Sequence, residues 1–126
     1  MIFALLGLSA QVAATAPPAA AIRINQLGYL PDAPKIAVFC ALGKSELRTF
    51  TVTDAAGRQI LQRSPLAAKP FGPCITNYRL DFSSLKATGD YHISAGGITS
   101  ALVRIRDNVY AGAADTLLYY MREQRS

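Results

Sequence analysis

Along most of the chain, hydrophobic and polar residues alternate with a period of two, which is the pattern of β-strands with one buried face. The clearest strand is predicted over residues 49–53, where Phe50 and Val52 alternate with threonines and are expected to face the core. Residues 35–42 are predicted to form a strand covered on both faces, because apolar side chains occupy both of its sides. Together with the other alternating segments, this pattern predicts an all-β fold of about seven short strands in a two-sheet sandwich.

The other predicted strands cover residues 22–25, 58–63, 78–82, 91–95 and 101–105. Between two of them, residues 64–73 contain three prolines and one glycine. Proline cannot donate a ladder hydrogen bond, so this segment is excluded from the inside of a sheet. It is predicted to be a surface crossing or a sheet edge.

Gly89 and Tyr91 form a candidate tyrosine corner, with the tyrosine at the start of a strand just after a glycine turn. In such corners the tyrosine hydroxyl bonds back to the backbone of the preceding connection and pins the crossover between the sheets. The alternative interpretation is a plain core tyrosine on a strand. In both cases the expected role is structural.

The period changes to that of a helix near the C-terminus, where Tyr110, Leu117 and Met121 recur on one helical face. A sandwich of this size has already closed its own core, so this apolar stripe predicts an interface with something outside the sandwich. The predicted domain boundaries are a sandwich over residues 22–107 and the start of a helix over residues 108–126.

Residues 1–21 contain no charged side chain and pass from an apolar run into small residues and prolines, which is typical of a signal peptide. Cleavage is predicted after Ala16 or Ala21, and the protein is then secreted or periplasmic. A membrane anchor is the alternative, but it requires about twenty continuous apolar residues, which polar residues and prolines interrupt here.

Cys40 and Cys74 are the only two cysteines. In an exported protein they can form one disulfide, and their spacing fits neither a zinc site nor a redox pair. Two buried free thiols are the alternative, and we slightly favour this interpretation.

A longer motif carries a family resemblance. Residues 22–31, Ile-Arg-Ile-Asn-Gln-Leu-Gly-Tyr-Leu-Pro, followed by Lys35 and Ala37, resemble the opening of the immunoglobulin-like module that precedes the catalytic domain in family nine glycoside hydrolases. Matching positions continue in order through residues 80–83 to residues 109–110. The resemblance implies an immunoglobulin-like sandwich, followed by the first helix of an α-helical barrel that is truncated in this chain.

In that family the module is an accessory part of a cellulase-type enzyme that hydrolyses β-1,4-glucan. The resemblance therefore implies that the partner of this module is the C-terminal catalytic domain of its own full-length chain, through which β-glucan or a related oligosaccharide is bound. A glucosaminidase of the same family is the alternative parent enzyme. A stand-alone carbohydrate-binding or adhesion sandwich is the alternative function, although the chain has no Trp for a flat sugar-binding platform.

The resemblance also implies roles for residues just after the first strand. Gly28 is expected to take a positive φ, and Pro31 is expected to stiffen the chain that follows. Tyr29 is expected either to face the catalytic domain, as the helical stripe does, or to be a plain core residue. Residues 71–77 depart from the Ser-Gly-Asp run of many relatives, which leaves the geometry of that edge open.

No catalytic residue, cofactor or metal site is expected in this chain. Inverting glycosidases need two carboxylates roughly 6.5 to 9.5 Å apart, and the eight Asp and Glu residues are each explained as turn, cap, strand-end or surface residues. Residues 54–57, Asp-Ala-Ala-Gly, resemble the Asp-Ala-Gly-Asp catalytic motif of the family, but they lie in a predicted hairpin and lack the second aspartate. His92 is the only histidine, which excludes a catalytic triad and a histidine-rich metal site.

The net charge of +5 comes from thirteen Lys and Arg residues that are scattered along the chain. A nucleic-acid partner requires basic residues clustered on one element with aromatic residues between them, so none is expected. No membrane contact beyond export is expected either.

Overall fold

The computed structural model describes residues 19–109 and 121–124, in which nine strands form two sheets. The strands are β1 (Ala20–Arg23), β2 (Ile36–Ala41), β3 (Phe50–Asp54), β4 (Gln59–Arg63), β5 (Leu66–Ala68), β6 (Thr76–Asp81), β7 (Gly89–Ala95), β8 (Ile98–Thr99) and β9 (Val103–Ile105). The predicted all-β, immunoglobulin-like sandwich is confirmed. The predicted strand count was low by two, because β5 and β8 are too short to leave a period in the sequence.

Each sheet is antiparallel throughout its paired strands. The first sheet has the order β1-β2-β6-β5, and the second has the order β4-β3-β7-β8, with β9 also pairing with β7. The register places Val38 of β2 opposite Arg79 of β6, and Val52 of β3 opposite Ile93 of β7. The chain crosses from one sheet to the other after β2, β4 and β6, which is typical of a sandwich.

The hydrophobic core lies between the inner faces of the two sheets. Phe50 and Val52 are buried there, as the alternation of β3 predicts. The core also contains side chains from both sheets and from the loops that close its ends: Ile22, Tyr29, Ala37, Phe39, Leu80, Phe82, Leu85, Tyr91, Ile93, Val103 and Ile105. Burial of these apolar side chains is the main stabilising contribution to such a fold.

The prediction that β2 is covered on both faces is wrong. Ala37, Phe39 and Ala41 face the core, whereas Ile36 and Val38 on the opposite side are exposed. Among the described residues, the outer face of the first sheet carries no second layer at these two positions. An apolar side chain on a strand therefore did not imply burial in this case.

The proline-rich segment lies at a sheet edge, which is one of the two predicted arrangements. β5 occupies three of the four residues between Pro65 and Pro70 and pairs with β6 on one side only. Neither proline lies inside β5, so every residue of this strand has a backbone N–H group that can donate a hydrogen bond.

Tyr91 makes the hydrogen bond that a tyrosine corner requires. Its hydroxyl donates to the carbonyl oxygen of Ala87 at 2.8 Å, four residues earlier in the connection from β6. Gly89 lies beneath the ring at φ +155°, and a Cβ there would come within 3.3 Å of the Tyr91 hydroxyl. Burial, and then the charge of Asp54, raise the pKa of Tyr91 above its ordinary value, so the hydroxyl stays a donor at neutral pH.

Cys40 and Cys74 are joined by a disulfide, so the expectation of free thiols is wrong. Their Cα atoms are 5.3 Å apart, which is within the usual range for a disulfide. The sheet register explains the proximity, because Cys40 pairs with Asn77, and a tight turn at residues 72–73 brings Cys74 back over the outer face of β2. A turn of this kind could not be placed from the cysteine spacing alone.

Candidate functional site

The candidate site is the end of the sandwich at which the chain leaves it. This exit end consists of residues 24–35 between β1 and β2, residues 82–88 between β6 and β7, and residues 106–109 after β9. It is assembled from three separate connections, so side chains and backbone groups must hold these connections together.

Tyr29 joins the first connection to the last strand through its backbone. Its amide donates to the carbonyl oxygen of Arg104 at 2.7 Å, and its own carbonyl oxygen accepts from the amide of Arg106 at 3.1 Å. These two bonds flank Ile105, with which Tyr29 forms a parallel bridge. The loop after β1 is therefore bonded directly to the residues from which the chain leaves the sandwich.

The side chain of Tyr29 is buried in the core rather than exposed as an interface residue. Its ring packs edge to face against Phe82 at a centroid distance of 5.1 Å. Its hydroxyl accepts from the amide of Asn25 at 2.8 Å and donates to the carbonyl oxygen of Ile36 at 3.3 Å. Of the two predicted roles of Tyr29, the structure shows that of a core residue. Its ring closes this end of the sandwich.

Gly28 takes the positive φ that was predicted, at +114°. A Cβ at this position would lie 2.8 Å from the carbonyl oxygen of Arg104, and it would overlap the side chain of Val109. The position therefore requires glycine for two reasons, its backbone conformation and its close contact with the departing chain.

Lys35 is fully buried, with 0% of its surface exposed. Its ammonium group donates to the carbonyl oxygen of Pro31, to that of Ala33 at 3.0 Å and to that of Ser83 at 3.3 Å. Its backbone amide also donates to the hydroxyl of Ser83 at 2.8 Å, and its carbonyl oxygen accepts from the amide of Phe82 at 2.9 Å. Lys35 thus fastens the first connection of the exit end to the second.

The ammonium group of Lys35 is stabilised by hydrogen bonds to carbonyl oxygens rather than by a close carboxylate. Burial lowers the pKa of Lys35 below its ordinary value, and repulsion from Lys86 lowers it further, while Asp32 and Asp81 partly oppose these effects. A buried ammonium is costly unless its donors are paired, and here each of its three N–H groups has a carbonyl partner. Sequence reasoning missed this role, because a lysine before a strand is usually an exposed residue.

Four of the carboxylates of the described residues hold turns or ion pairs, those of Asp32, Asp54, Asp81 and Asp90. Asp54 accepts from the amides of Ala56 at 3.0 Å and Arg58 at 2.8 Å, which makes residues 54–57 a turn, as predicted. Asp81 accepts from the hydroxyl and the amide of Ser83, and these hydrogen bonds lower the pKa of Asp81.

Two further carboxylates are paired with cations of the exit end. Asp90 accepts from the guanidinium of Arg106 at 2.6 Å, and Asp32 lies 3.6 Å from the ammonium of Lys86. Within residues 19–109 and 121–124, no group of three or more His, Cys, Asp or Glu side chains could hold a metal ion. The same described ranges contain no helix that is long and apolar enough to cross a membrane.

The predicted interface residues are only partly described. Tyr110 and Leu117 lie outside the described residues, and Met121 is 59% exposed. A further apolar side chain, Leu27, is 54% exposed in the first connection of the exit end, next to Gly28. The sequence pattern did not predict that Leu27 is exposed, because Leu27 lies in an irregular loop within the family motif.

The fold, including its exit end, is that of an immunoglobulin-like module. Residues 17–100 match the family model described as the cellulase N-terminal Ig-like domain. The chain therefore belongs to the family of cellulase N-terminal immunoglobulin-like domains.

Relatives with this module are glycoside hydrolases of family nine. The chain is 36% identical over 110 residues to the xyloglucan-specific endo-β-1,4-glucanase BoGH9A of Bacteroides ovatus, covering 83% of this chain and 18% of that enzyme. The chain spans less than a fifth of the length of this curated relative.

Solved structures show the same relationship. The structure of Bacteroides ovatus GH9 matches with a TM-score of 0.72 and 33% identity, over 84% of this chain and 19% of that one. A metagenome-derived family nine endoglucanase matches with a TM-score of 0.61 and 30% identity, over 74% of this chain and 19% of that one. These likenesses confirm the resemblance found in the sequence, and they correspond to one module of longer enzymes.

Replacing Lys35 with methionine tests the role of its ammonium group. Lys35→Met keeps most of the apolar stem but leaves three buried carbonyl oxygens without their donor, so we expect a loss of about 2 to 3 kcal/mol in the free energy of unfolding. Urea unfolding followed by circular dichroism measures this loss. The matched control is Lys86→Met, which removes an exposed ion pair and should change stability by about 0.5 kcal/mol or less. If Lys35→Met were as stable as the control, the ammonium would not fasten the exit end.

Proposed function

We propose that this chain is the accessory immunoglobulin-like module of a family nine glycoside hydrolase, and that it packs against and stabilises the catalytic domain of the same protein. The family membership of the chain, and its match to less than a fifth of each relative, support this proposal. In this role the module performs no chemistry itself. It acts as a rigid support for a neighbouring domain.

The observation that carries the proposal is the hydrogen-bonded exit end. Tyr29 bonds on both sides of Ile105, and Lys35 fastens the same connection to residues 82–88. A domain that follows residue 109 would therefore leave from a fixed point in a fixed direction. Such preorganisation reduces the entropy that is lost when two domains pack against each other.

Leu27 and Met121 support a docking surface at this end. Leu27 is exposed in the connection that is bonded to the departing chain, and Met121 is exposed further along the sequence. Apolar side chains exposed beside a domain exit are common at interfaces within longer chains. We propose that both contact the catalytic domain, together with Tyr110 and Leu117.

For the parent enzyme we propose hydrolysis of β-1,4-glucan. This proposal comes from the relatives, one of which is named a xyloglucan-specific endo-β-1,4-glucanase and another a family nine endoglucanase. Asp32, Asp54, Asp81 and Asp90 of the described sandwich are used in turns or ion pairs, and we assign the reaction to the domain that would follow.

We also propose that the protein is exported by a signal peptide within residues 1–21, and that it is secreted or periplasmic. The pairings of β1 limit where cleavage can occur, because Ala20 and Ala21 pair with Ala41 and Cys40 of β2. Removal of residues up to Ala21 would delete half of this strand, so the mature protein is expected to begin before Ala20. N-terminal sequencing of the exported protein tests this, and a mature chain that begins at Ile22 would contradict it.

The enzymatic part of the proposal is tested by comparing two lengths of the chain. The reading frame beyond codon 126 is sequenced, and the 126-residue chain and the extended chain are purified in parallel. We expect the frame to continue into an Asp-Ala-Gly-Asp motif, and only the extended chain to release reducing sugar from soluble β-1,4-glucan. A stop codon directly after codon 126, or hydrolysis by the 126-residue chain above a heat-killed control, would contradict the proposal.

A further inference from the structure

The Cys40–Cys74 disulfide lies outside the sandwich core. Cys40 alternates along β2 with Phe39 and Ala41, which face the core, so its side chain is on the outer face of the first sheet. Cys74 belongs to the tight hairpin of residues 69–75, which connects β5 to β6. The disulfide therefore fastens an external hairpin to the outer face of β2, and it does not cross-link the two sheets.

The hairpin itself is held by short-range contacts. Phe71 and Cys74 exchange two backbone hydrogen bonds of 3.2 and 3.0 Å around the turn. The side-chain amide of Asn77 donates to the carbonyl oxygens of Lys69 at 3.1 Å and Cys74 at 3.3 Å. Phe71 is nevertheless 81% exposed, so burial of its ring contributes little to the position of the hairpin. The covalent bond to Cys40 adds a direct link from these local contacts to β2, beside the indirect one through β6.

The neighbouring strand β5 is also weakly anchored. Its three residues are all exposed, and they pair through their backbone with Arg79, Tyr78 and Asn77 of β6. A three-residue edge strand without buried side chains has little of the apolar burial that stabilises a strand in a sheet. Because β5 leads directly into the hairpin, the disulfide restrains the C-terminal end of this strand.

We propose that the buried Cys40–Cys74 disulfide is the covalent clamp that holds residues 64–75 on this edge of the sandwich. A dithiol reductant transfers two electrons and two protons to the S–S bond, which gives two thiols while the reductant becomes a disulfide. Residues 64–75, including β5, then detach from the outer face, and the two-sheet core remains folded. The core can remain because the cysteines and β5 are not among its packed side chains.

Opening of the clamp changes the exposed edge of the first sheet. In the oxidised form β5 covers β6, and β5 is a short edge strand flanked by Pro65 and Pro70. Short strands and prolines are common devices against pairing between sheet edges of different molecules. In the reduced form the longer strand β6 becomes the edge and can pair with a second copy of the chain.

Hydrogen exchange with mass spectrometry tests the clamp. The oxidised protein is compared with the protein reduced by dithiothreitol and with the double variant C40S/C74S, under native conditions. We expect peptides that cover residues 64–75, and the β6 amides paired with β5, to exchange at least about tenfold faster without the disulfide. The amides that pair β3 with β7 are expected to remain protected.

Val103→Ala is the matched control, because it lowers the free energy of unfolding by removing packed core atoms and leaves the disulfide intact. In this variant, any faster exchange should spread over all strands, without preference for residues 64–75. Chymotrypsin provides a second measurement, since cleavage after Phe71 should become faster in C40S/C74S than in Val103→Ala. The proposal is overturned if reduction leaves residues 64–75 protected, or if it accelerates exchange uniformly or unfolds the whole sandwich.

Discussion

Two backbone hydrogen bonds of Tyr29, one to Arg104 and one from Arg106, join the loop after the first strand to the last strand of the sandwich. The rest of the exit end depends on this pairing. It sets the position of the Tyr29 ring against Phe82, and it brings the departing chain close to the backbone of the loop. Lys35 holds the other side of the same loop by donating to carbonyl oxygens of two connections. The first and last parts of the fold are thereby one hydrogen-bonded unit.

This arrangement suits the proposed role of the sandwich as a rigid support for a catalytic domain. An interface within one chain is usually modest in area, so relative motion of the two domains is the ordinary expectation. A module whose exit is fixed by buried hydrogen bonds limits that motion at its own end. The disulfide acts elsewhere, on the outer face of the first sheet, where it restrains a proline-rich edge and not the exit end.

Much of the fold was predictable from local patterns. β3 and β7 alternate clearly because only one of their faces is buried, and their predicted positions agree with the structure to within about two residues. The turn at residues 54–57 and the corner at Tyr91 were predictable because each depends on a side chain that bonds to nearby backbone. The family motif identified the module, and the position of Gly28 followed from its residue type.

The remaining features depend on contacts that a sequence pattern does not contain. Lys35 is buried because carbonyl oxygens from residues 31, 33 and 83 converge on its ammonium group, and residue 83 is far from the other two in the chain. The disulfide depends on the register between β2 and β6, and on a turn that reverses the chain just before β6. The exposure of Ile36 and Val38 depends on the absence of a covering layer among the described residues.

In the proposed function, the sandwich closes its own core and presents a fixed exit, from which the catalytic domain would continue. The most direct measurement compares urea unfolding of the 126-residue chain with that of a chain ending at Val109. Val109 is retained because its side chain lies against Gly28. The account predicts that the free energies of unfolding agree to within about 0.5 kcal/mol, as for changes outside a packed core. A loss of more than about 2 kcal/mol on removal of residues 110–126 would mean that those residues belong to the sandwich core, and it would contradict the account.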